Sequence, residues 1–217
     1  MWSIADIADA LEIGLTHKAE QLDKEHAVGG LDSLEELDLH PIIATALDEA
    51  GFGVHREQRY PADQIKRKRS EGERCDFVLT HDKLPLAIPS DVPTLFDPPN
   101  AIPLDEAYWL EVKVVYQYTE DGPNHNYTSS LLTPSRRDVL KLSKDTGINH
   151  RGLLILLFSQ DERVAEHDLA QWLHGALNHN LPISSPSLRD IAITDRLGNA
   201  LCKIALYPLH SYEKSML

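Results

Sequence analysis

The sequence predicts an α/β fold in which a central sheet is flanked by helices. Residues 152–158 (GLLILLF) form a continuous apolar run of strand length, which is typical of a strand covered on both faces. Residues 3–25 and 162–180 instead repeat apolar side chains at helical spacing, and strand-like runs lie between them. Helices layered on a sheet bury all of these apolar faces.

The first element is an amphipathic helix, predicted from about Ser3 to Glu25 because its apolar residues recur every three or four positions. Gly29 and Gly30 end this pattern. Residues 1–30 are therefore predicted to be a helical appendage to an α/β domain at residues 31–217. The pattern leaves open whether this helix covers the core or mediates self-association.

A second helix is predicted between Ser33 and Gly51. Ser33 followed three residues later by Glu36 is the capping-box pattern, and glycine is a common helix stop. Pro41 should kink or restart this helix, because proline lacks the N–H donor that a helix interior needs. The strand-like residues 54–60 follow.

The remaining elements are predicted from similar patterns. Ser135 has the sequence context of a helix start, Gly147 that of a stop, and Gly198-Asn199 that of a hairpin turn. These signals predict strands at 74–79, 109–115 and 152–158, helices at 135–147 and 162–180, and a C-terminal hairpin of 191–194 with 200–207.

Residues 81–107 form a long proline-rich insert, with prolines at positions 85, 89, 93, 98, 99 and 103. Regular structure throughout is excluded by these prolines. Long connections of this kind tend to be functional. The insert is therefore predicted to be a substrate-gating flap or an interface arm, with a simple surface excursion as the alternative.

Composition favours one globular unit with appendages. The chain has 217 residues, of which 42% are hydrophobic and 25% charged, and no run is long enough for a membrane span. The acidic N-terminus argues against a signal peptide, so a cytoplasmic location without membrane association is expected. Cys75 and Cys202 lie in apolar strand-like runs and are expected to be buried thiols.

The chemistry-bearing residues lie in two of the predicted strands. In residues 109–115 (WLEVKVV), strand alternation places Glu111 and Lys113 on one face and the apolar residues on the other. In residues 74–79 (RCDFVL), Asp76 should lie opposite its apolar neighbours. If the two strands are adjacent, all three side chains converge at one sheet edge. Two carboxylates suit Mg²⁺, and a nearby ammonium suits hydrolysis of a phosphodiester.

An acid in one strand followed by Glu-x-Lys in the next resembles the PD-(D/E)xK, or restriction-endonuclease-like, nuclease superfamily. The resemblance covers roughly residues 31–160, and Cys75 stands where the motif has proline. It implies a mixed central sheet flanked by helices, and a metal-dependent nuclease that cleaves phosphodiester bonds.

The resemblance also implies roles for individual residues. Asp76 and Glu111 would bind Mg²⁺, for which Mn²⁺ can substitute, together with the backbone carbonyl of Val112, and Lys113 would assist the attacking water. Family members often add a glutamate from the first helix, for which Glu36 is the first candidate and Glu35 the second. Glu57, in the strand before Asp76, is a further carboxylate that could face the site.

The charge distribution bears on the expected nucleic-acid partner. With 34 acidic residues against 21 lysines and arginines, the net charge of −13 opposes phosphate binding. Local basic runs offset this average, and we predict nucleic-acid contacts for Lys66, Arg67, Lys68, Arg69, Arg136 and Arg137, with DNA expected ahead of RNA. A solvated turn is an equally good interpretation of the run at 66–69.

The sequence leaves two alternatives open. Asp76, Glu111 and Lys113 can instead be the polar face of an ordinary half-exposed sheet. The fold can also serve as a noncatalytic protein-interaction module that holds a partner through the N-terminal helix and the proline-rich insert. A homodimer is a further expectation, because cutting two strands commonly requires two active sites.

Overall fold

The computed structural model describes residues 1–63, 72–87 and 98–211. It is an α/β protein with a mixed six-stranded sheet between two layers of helices, as the sequence predicts. Its helices are α1 (Ile4–Lys24), α2 (Glu36–Glu49), α3 (Tyr127–Lys144) and α4 (Glu162–Asn178). Its strands are β1 (Gly53–Arg59), β2 (Arg74–Thr80), β3 (Tyr108–Tyr116), β4 (Tyr118–Thr119), β5 (Gly122–Pro123), β6 (His150–Ser159), β7 (Ser187–Ala192) and β8 (Leu201–Leu209).

The large sheet has the strand order β1-β2-β3-β6-β8-β7. Only β3 and β6 are parallel, and every other neighbouring pair is antiparallel. Helix α3 makes the crossover that a parallel pair requires. The two motif-bearing strands β2 and β3 are neighbours despite the long insert between them, so this part of the prediction is confirmed.

Each face of the sheet carries its own apolar cluster. One cluster joins α1 and α2 to residues such as Leu110, Val112 and Leu154. The other joins α3 and α4 to residues such as Trp109 and Ile155. Because alternate residues of β3 and β6 enter opposite clusters, both strands are buried on two sides, as the apolar run in β6 predicts.

Helix α1 lies within the first cluster rather than beside it. Ile7, Leu11 and Leu15 are fully buried there, together with Ile204 of β8. Polar contacts tie the same helix to β7, where the Arg189 side chain donates to an Asp9 carboxylate oxygen at 2.6 Å. Of the two roles left open for this helix, covering the core is the one that the structure describes.

Two helix starts were predicted wrongly. Ser33 does not cap α2; it ends a short 3-10 turn and its hydroxyl donates to the Gly30 carbonyl, so α2 begins at Glu36. Helix α3 begins at Tyr127 rather than Ser135 and runs through Pro134. Helix α2 likewise continues through Pro41 without a break. Packing of α2 and α3 against the sheet offsets the hydrogen bond that each proline removes.

Other elements agree with the sequence. The hairpin of β7 and β8 is confirmed with slightly shifted bounds. Both cysteines are buried free thiols. In the insert, a short turn at His81–Lys83 and an isolated bridge between Leu86 and Ile102 are described. None of the helices in the described ranges is long and apolar enough to cross a membrane.

Candidate active site

The candidate site forms where β2 and β3 part. Their ladder pairs Phe77, Val78 and Leu79 with Leu110, Trp109 and Tyr108, and β3 then runs on toward Tyr116 paired with β6. Beyond Leu110, the backbone N–H groups on this edge of β3 donate to side chains instead of to β2. An Asp76 carboxylate oxygen accepts the Val112 N–H at 2.8 Å, and a Glu36 oxygen accepts the Val114 N–H at 3.1 Å. Two of the predicted acids therefore lie on this edge.

Glu111 lies on the α3 side of β3, as strand alternation predicts. Its side chain is buried, and its carboxylate accepts a hydrogen bond from the Tyr60 hydroxyl and pairs with the Lys141 ammonium at 2.7 Å. Burial, together with the neighbouring Asp76 carboxylate, raises the pKa of Glu111 to about 8, although Lys141 and Tyr60 oppose this rise. Lys141 and Tyr60 were not predicted as partners of this glutamate.

Lys113 is held between two helices. Its ammonium lies 3.1 Å from a Glu36 oxygen of α2 and 3.5 Å from an Asp138 oxygen of α3. Burial lowers the pKa of Lys113, but the Glu36 and Asp138 carboxylates outweigh this effect and the net pKa is raised, so the lysine is a cation. Burial raises the pKa of Asp138 in turn. Asp138 lies within the helix predicted at residues 135–147, but it was not predicted as a partner of Lys113.

His40, Glu57 and Asp76 form a compact group of metal-type ligands. One ligand atom from each lies within 4.8 Å of the others. His40 is only 1% exposed, and neither of its ring nitrogens has a hydrogen-bond partner within the described residues. A buried imidazole without partners is costly, and a bound cation would satisfy one ring nitrogen. Asp76 therefore belongs to this group, in addition to being predicted as a metal ligand together with Glu111.

The backbone of β1 brings Glu57 to this group. Its φ of 55° lies in the left-handed region, and the β1–β2 ladder is interrupted there, between the pairs Arg56–Phe77 and Gln58–Cys75. The pleat of β2 is disturbed opposite it, because Cys75 enters the α3–α4 cluster whereas Phe77 enters the α1–α2 cluster. The prediction that Asp76 lies opposite both of these neighbours was therefore wrong.

The predicted nucleic-acid contacts divide into three groups. Lys66, Arg67, Lys68 and Arg69 lie outside the described residues. Arg136 packs on α4, where a Cβ added at Gly175 would meet its guanidinium at 2.7 Å. Arg137 instead lines a cavity beside α3, together with Tyr60 and Lys141. The two arginines thus point toward different surroundings.

His40 is the metal-type ligand that was not predicted from the sequence. It follows Glu36 by four positions on α2, so the two side chains share one helix face. That spacing was the available signal, since a helical glutamate had been predicted to point at the site.

Comparisons of the chain with models of protein families, with curated proteins and with solved structures found no match.

Proposed function

We propose that the protein is a metal-dependent nuclease that hydrolyses phosphodiester bonds, with DNA as the favoured nucleic acid. The observation that carries this proposal is the position of Asp76, which lies in one group with His40 and Glu57 and acts electrostatically on both Glu111 and Lys113. Carboxylate and imidazole ligands can hold a divalent cation, and a fixed ammonium can stabilise the negative charge of a phosphoryl transition state.

The donor set fits a hard or borderline divalent cation. His40, Glu57 and Asp76 would hold it, and Asp76 also acts electrostatically on the Glu111 carboxylate. Carboxylates suit both Mg²⁺ and Mn²⁺, and the imidazole favours Mn²⁺. When bound, such an ion polarises a phosphoryl oxygen and lowers the pKa of an attached water. The carbonyl of Val112 shares the direction of its N–H, which donates to Asp76, and this supports its role as a further ligand.

Lys113 supplies the positive charge in this proposal. Contacts with Glu36 and Asp138 fix its ammonium and keep it protonated, so it can orient the attacking water and offset the negative charge on the phosphoryl oxygens in the transition state. Glu36 also binds the Val114 N–H, and it thereby links the position of α2 to that of β3. Glu36 thus acts by positioning Lys113.

The order of elements supports a restriction-endonuclease-like core. Helix α2, the antiparallel strands β1, β2 and β3, the crossover helix α3 and the parallel strand β6 follow one another as the resemblance implies. We retain the cytoplasmic location and the homodimer as predictions.

A noncatalytic interaction module is the second candidate. The observation that favours it is the engagement of Glu111 by both Tyr60 and Lys141, which satisfies this carboxylate inside the protein. The net charge of −13 also favours a protein partner over nucleic acid.

Cleavage assays separate the two candidates. Purified protein is incubated with single- and double-stranded DNA and RNA in Mg²⁺ or Mn²⁺, beside the variant Lys113→Ala. The matched control is Lys83→Ala, because Lys83 forms an exposed ion pair with Asp48 at 2.7 Å. We expect metal-dependent cutting that falls about a hundredfold or more in Lys113→Ala and is unchanged in the control. If wild-type protein cuts none of these substrates, or if Lys113→Ala cuts as well as wild type, the proposal is wrong.

A further inference from the structure

A cavity of about 310 Å³ opens beside the candidate site, between α3 and the turn after β1. Tyr60, Ala62 and Leu140 supply part of its lining. The Tyr60 ring stacks on Trp109, with ring centroids 5.5 Å apart, and the Lys141 ammonium lies 5.1 Å from the Tyr60 ring centre. The Tyr60 ring in the cavity wall is therefore held by one aromatic and one cation contact.

Three cations of α3 line this cavity. Arg137, Lys141 and Lys144 are spaced four and three residues apart, which places them on one helix face. Lys141 is already engaged, since it pairs with Glu111 and donates to the Arg74 carbonyl at 3.0 Å. Arg137 and Lys144 are exposed, and within the described ranges neither makes a hydrogen bond or ion pair. Two positive charges are thus available to a ligand.

Two acidic side chains that line the cavity accept hydrogen bonds from backbone N–H groups. Asp145 accepts the N–H groups of Ala62 and Gly147 at 2.9 and 2.8 Å, one on each oxygen. An Asp63 oxygen accepts the Glu73 N–H at 2.7 Å. Because these carboxylates face hydrogen-bond donors, they oppose an anionic ligand less than their number suggests. Glu73 is the remaining acid and is exposed.

Lys141 joins the cavity to the candidate site. It lines the cavity and contacts Glu111, and the Asp76 carboxylate acts electrostatically on that same glutamate. A strand bound beside Asp76 and Glu111 would thus have the cationic lining of the cavity next to it.

We propose that this cavity binds one phosphate group of a nucleic-acid strand through Arg137 and Lys144, with Lys141 at its inner edge. This inference rests on the proposed nuclease function and deepens it. The phosphate can come from an internal phosphodiester or from a phosphorylated strand end, and both offer the same anionic oxygens to an arginine and a lysine.

The test is equilibrium binding of short single-stranded DNA, followed by fluorescence anisotropy with Ca²⁺ replacing the reactive metal. The variant is Arg137→Glu with Lys144→Glu. Its matched control is Lys18→Glu with Arg163→Glu, which reverses two charges on α1 and α4 away from the cavity lining. We expect the Kd of the cavity variant to rise at least tenfold. The slope of log Kd against log salt concentration should fall by about 0.7, which corresponds to the loss of one phosphate contact on a single strand. An unchanged Kd and slope would overturn the proposal.

Strands with and without terminal phosphates distinguish the two sources. If a strand end is bound, a terminal phosphate tightens binding to wild-type protein and has little effect on the cavity variant. If an internal phosphodiester is bound, terminal phosphates make no difference, while the charge reversal still weakens binding. Both outcomes support the cavity as a phosphate site.

Failure of this inference and failure of the nuclease proposal give different results. Wild-type protein that cuts nothing but binds DNA through Arg137 and Lys144 would refute the nuclease and retain the phosphate site. Wild-type protein that cuts, beside a cavity variant that binds and cuts equally well, would refute the phosphate site alone.

Discussion

The substitution His40→Leu should stabilise the protein in the absence of metal and should make it less stable than wild type when metal is present. In wild-type protein without metal, the buried ring of His40 packs edge-on against Phe77 and carries two unpartnered nitrogens. A buried polar group without partners costs about 1–3 kcal/mol, whereas leucine fills similar space with no polar atom. We therefore expect the variant to have the larger free energy of unfolding in EDTA, by about 1 kcal/mol.

Added metal should reverse the order of the two free energies of unfolding. A cation bound only by folded protein adds about 2.7 kcal/mol when its free concentration is a hundred times its Kd. Wild-type protein should gain this increment in Mn²⁺, and His40→Leu should lose most of it because one of three ligands is gone. The two proteins should thus exchange rank between EDTA and Mn²⁺.

Urea unfolding followed by tryptophan fluorescence gives both free energies, provided that the slope with denaturant is the same in each protein. His17→Leu is the control, since His17 is exposed on α1 and should leave the metal increment intact. An equal increment in wild type and His40→Leu would falsify the assignment of His40 as a ligand. A variant destabilised by more than about 1 kcal/mol in EDTA would refute the cost assigned to the unpartnered ring.

Two further predictions concern the charges around Lys113 and Glu111. Asp138→Asn should lower kcat about tenfold with little change in KM. It should also move the alkaline limb of the pH–rate profile to lower pH, because one of the carboxylates that raise the pKa of Lys113 is removed. A loss of kcat without that shift would mean that Asp138 acts only on the fold. In EDTA, the contribution of Glu111 to the free energy of unfolding should fall as pH rises from about 4.5 to 8. Folded protein keeps the proton of Glu111 up to a pKa of about 8, whereas the unfolded chain releases it near the ordinary value of 4.5. Glu111→Gln should flatten this part of a urea-unfolding series measured against pH, and an equally steep fall in the variant would contradict the raised pKa.

The strand pattern predicted the placement of Glu111 because a regular strand alternates its side chains wherever it pairs. Leu110 and Val112 enter one cluster, and Glu111 and Lys113 contact α3 from the other side. Alternation of side chains depends only on local strand geometry, so it can be predicted from the sequence alone.

The group of His40, Glu57 and Asp76 could not be predicted from the sequence, because it depends on an irregular backbone. Glu57 joins it through a left-handed φ that interrupts the ladder, and no glycine or turn pattern marks the position. Asp138 depends on tertiary packing in another way. Helix α3 starts eight residues earlier than Ser135, at Tyr127, and its length and docking place Asp138 against Lys113.

The docking of α1 against β7 and β8 joins the two ends of the chain. Arg189 binds Asp9, and Arg196 binds Asp23 at 2.6 Å, so these contacts of α1 form only after residues synthesised more than 150 positions later have emerged. Contacts so distant in sequence slow folding, because a long loop must close before they form. The segment from α2 to β6 is synthesised before those strands. During translation, α1 can pack on α2 early, whereas the part of its apolar face that β7 and β8 cover stays exposed until those strands emerge.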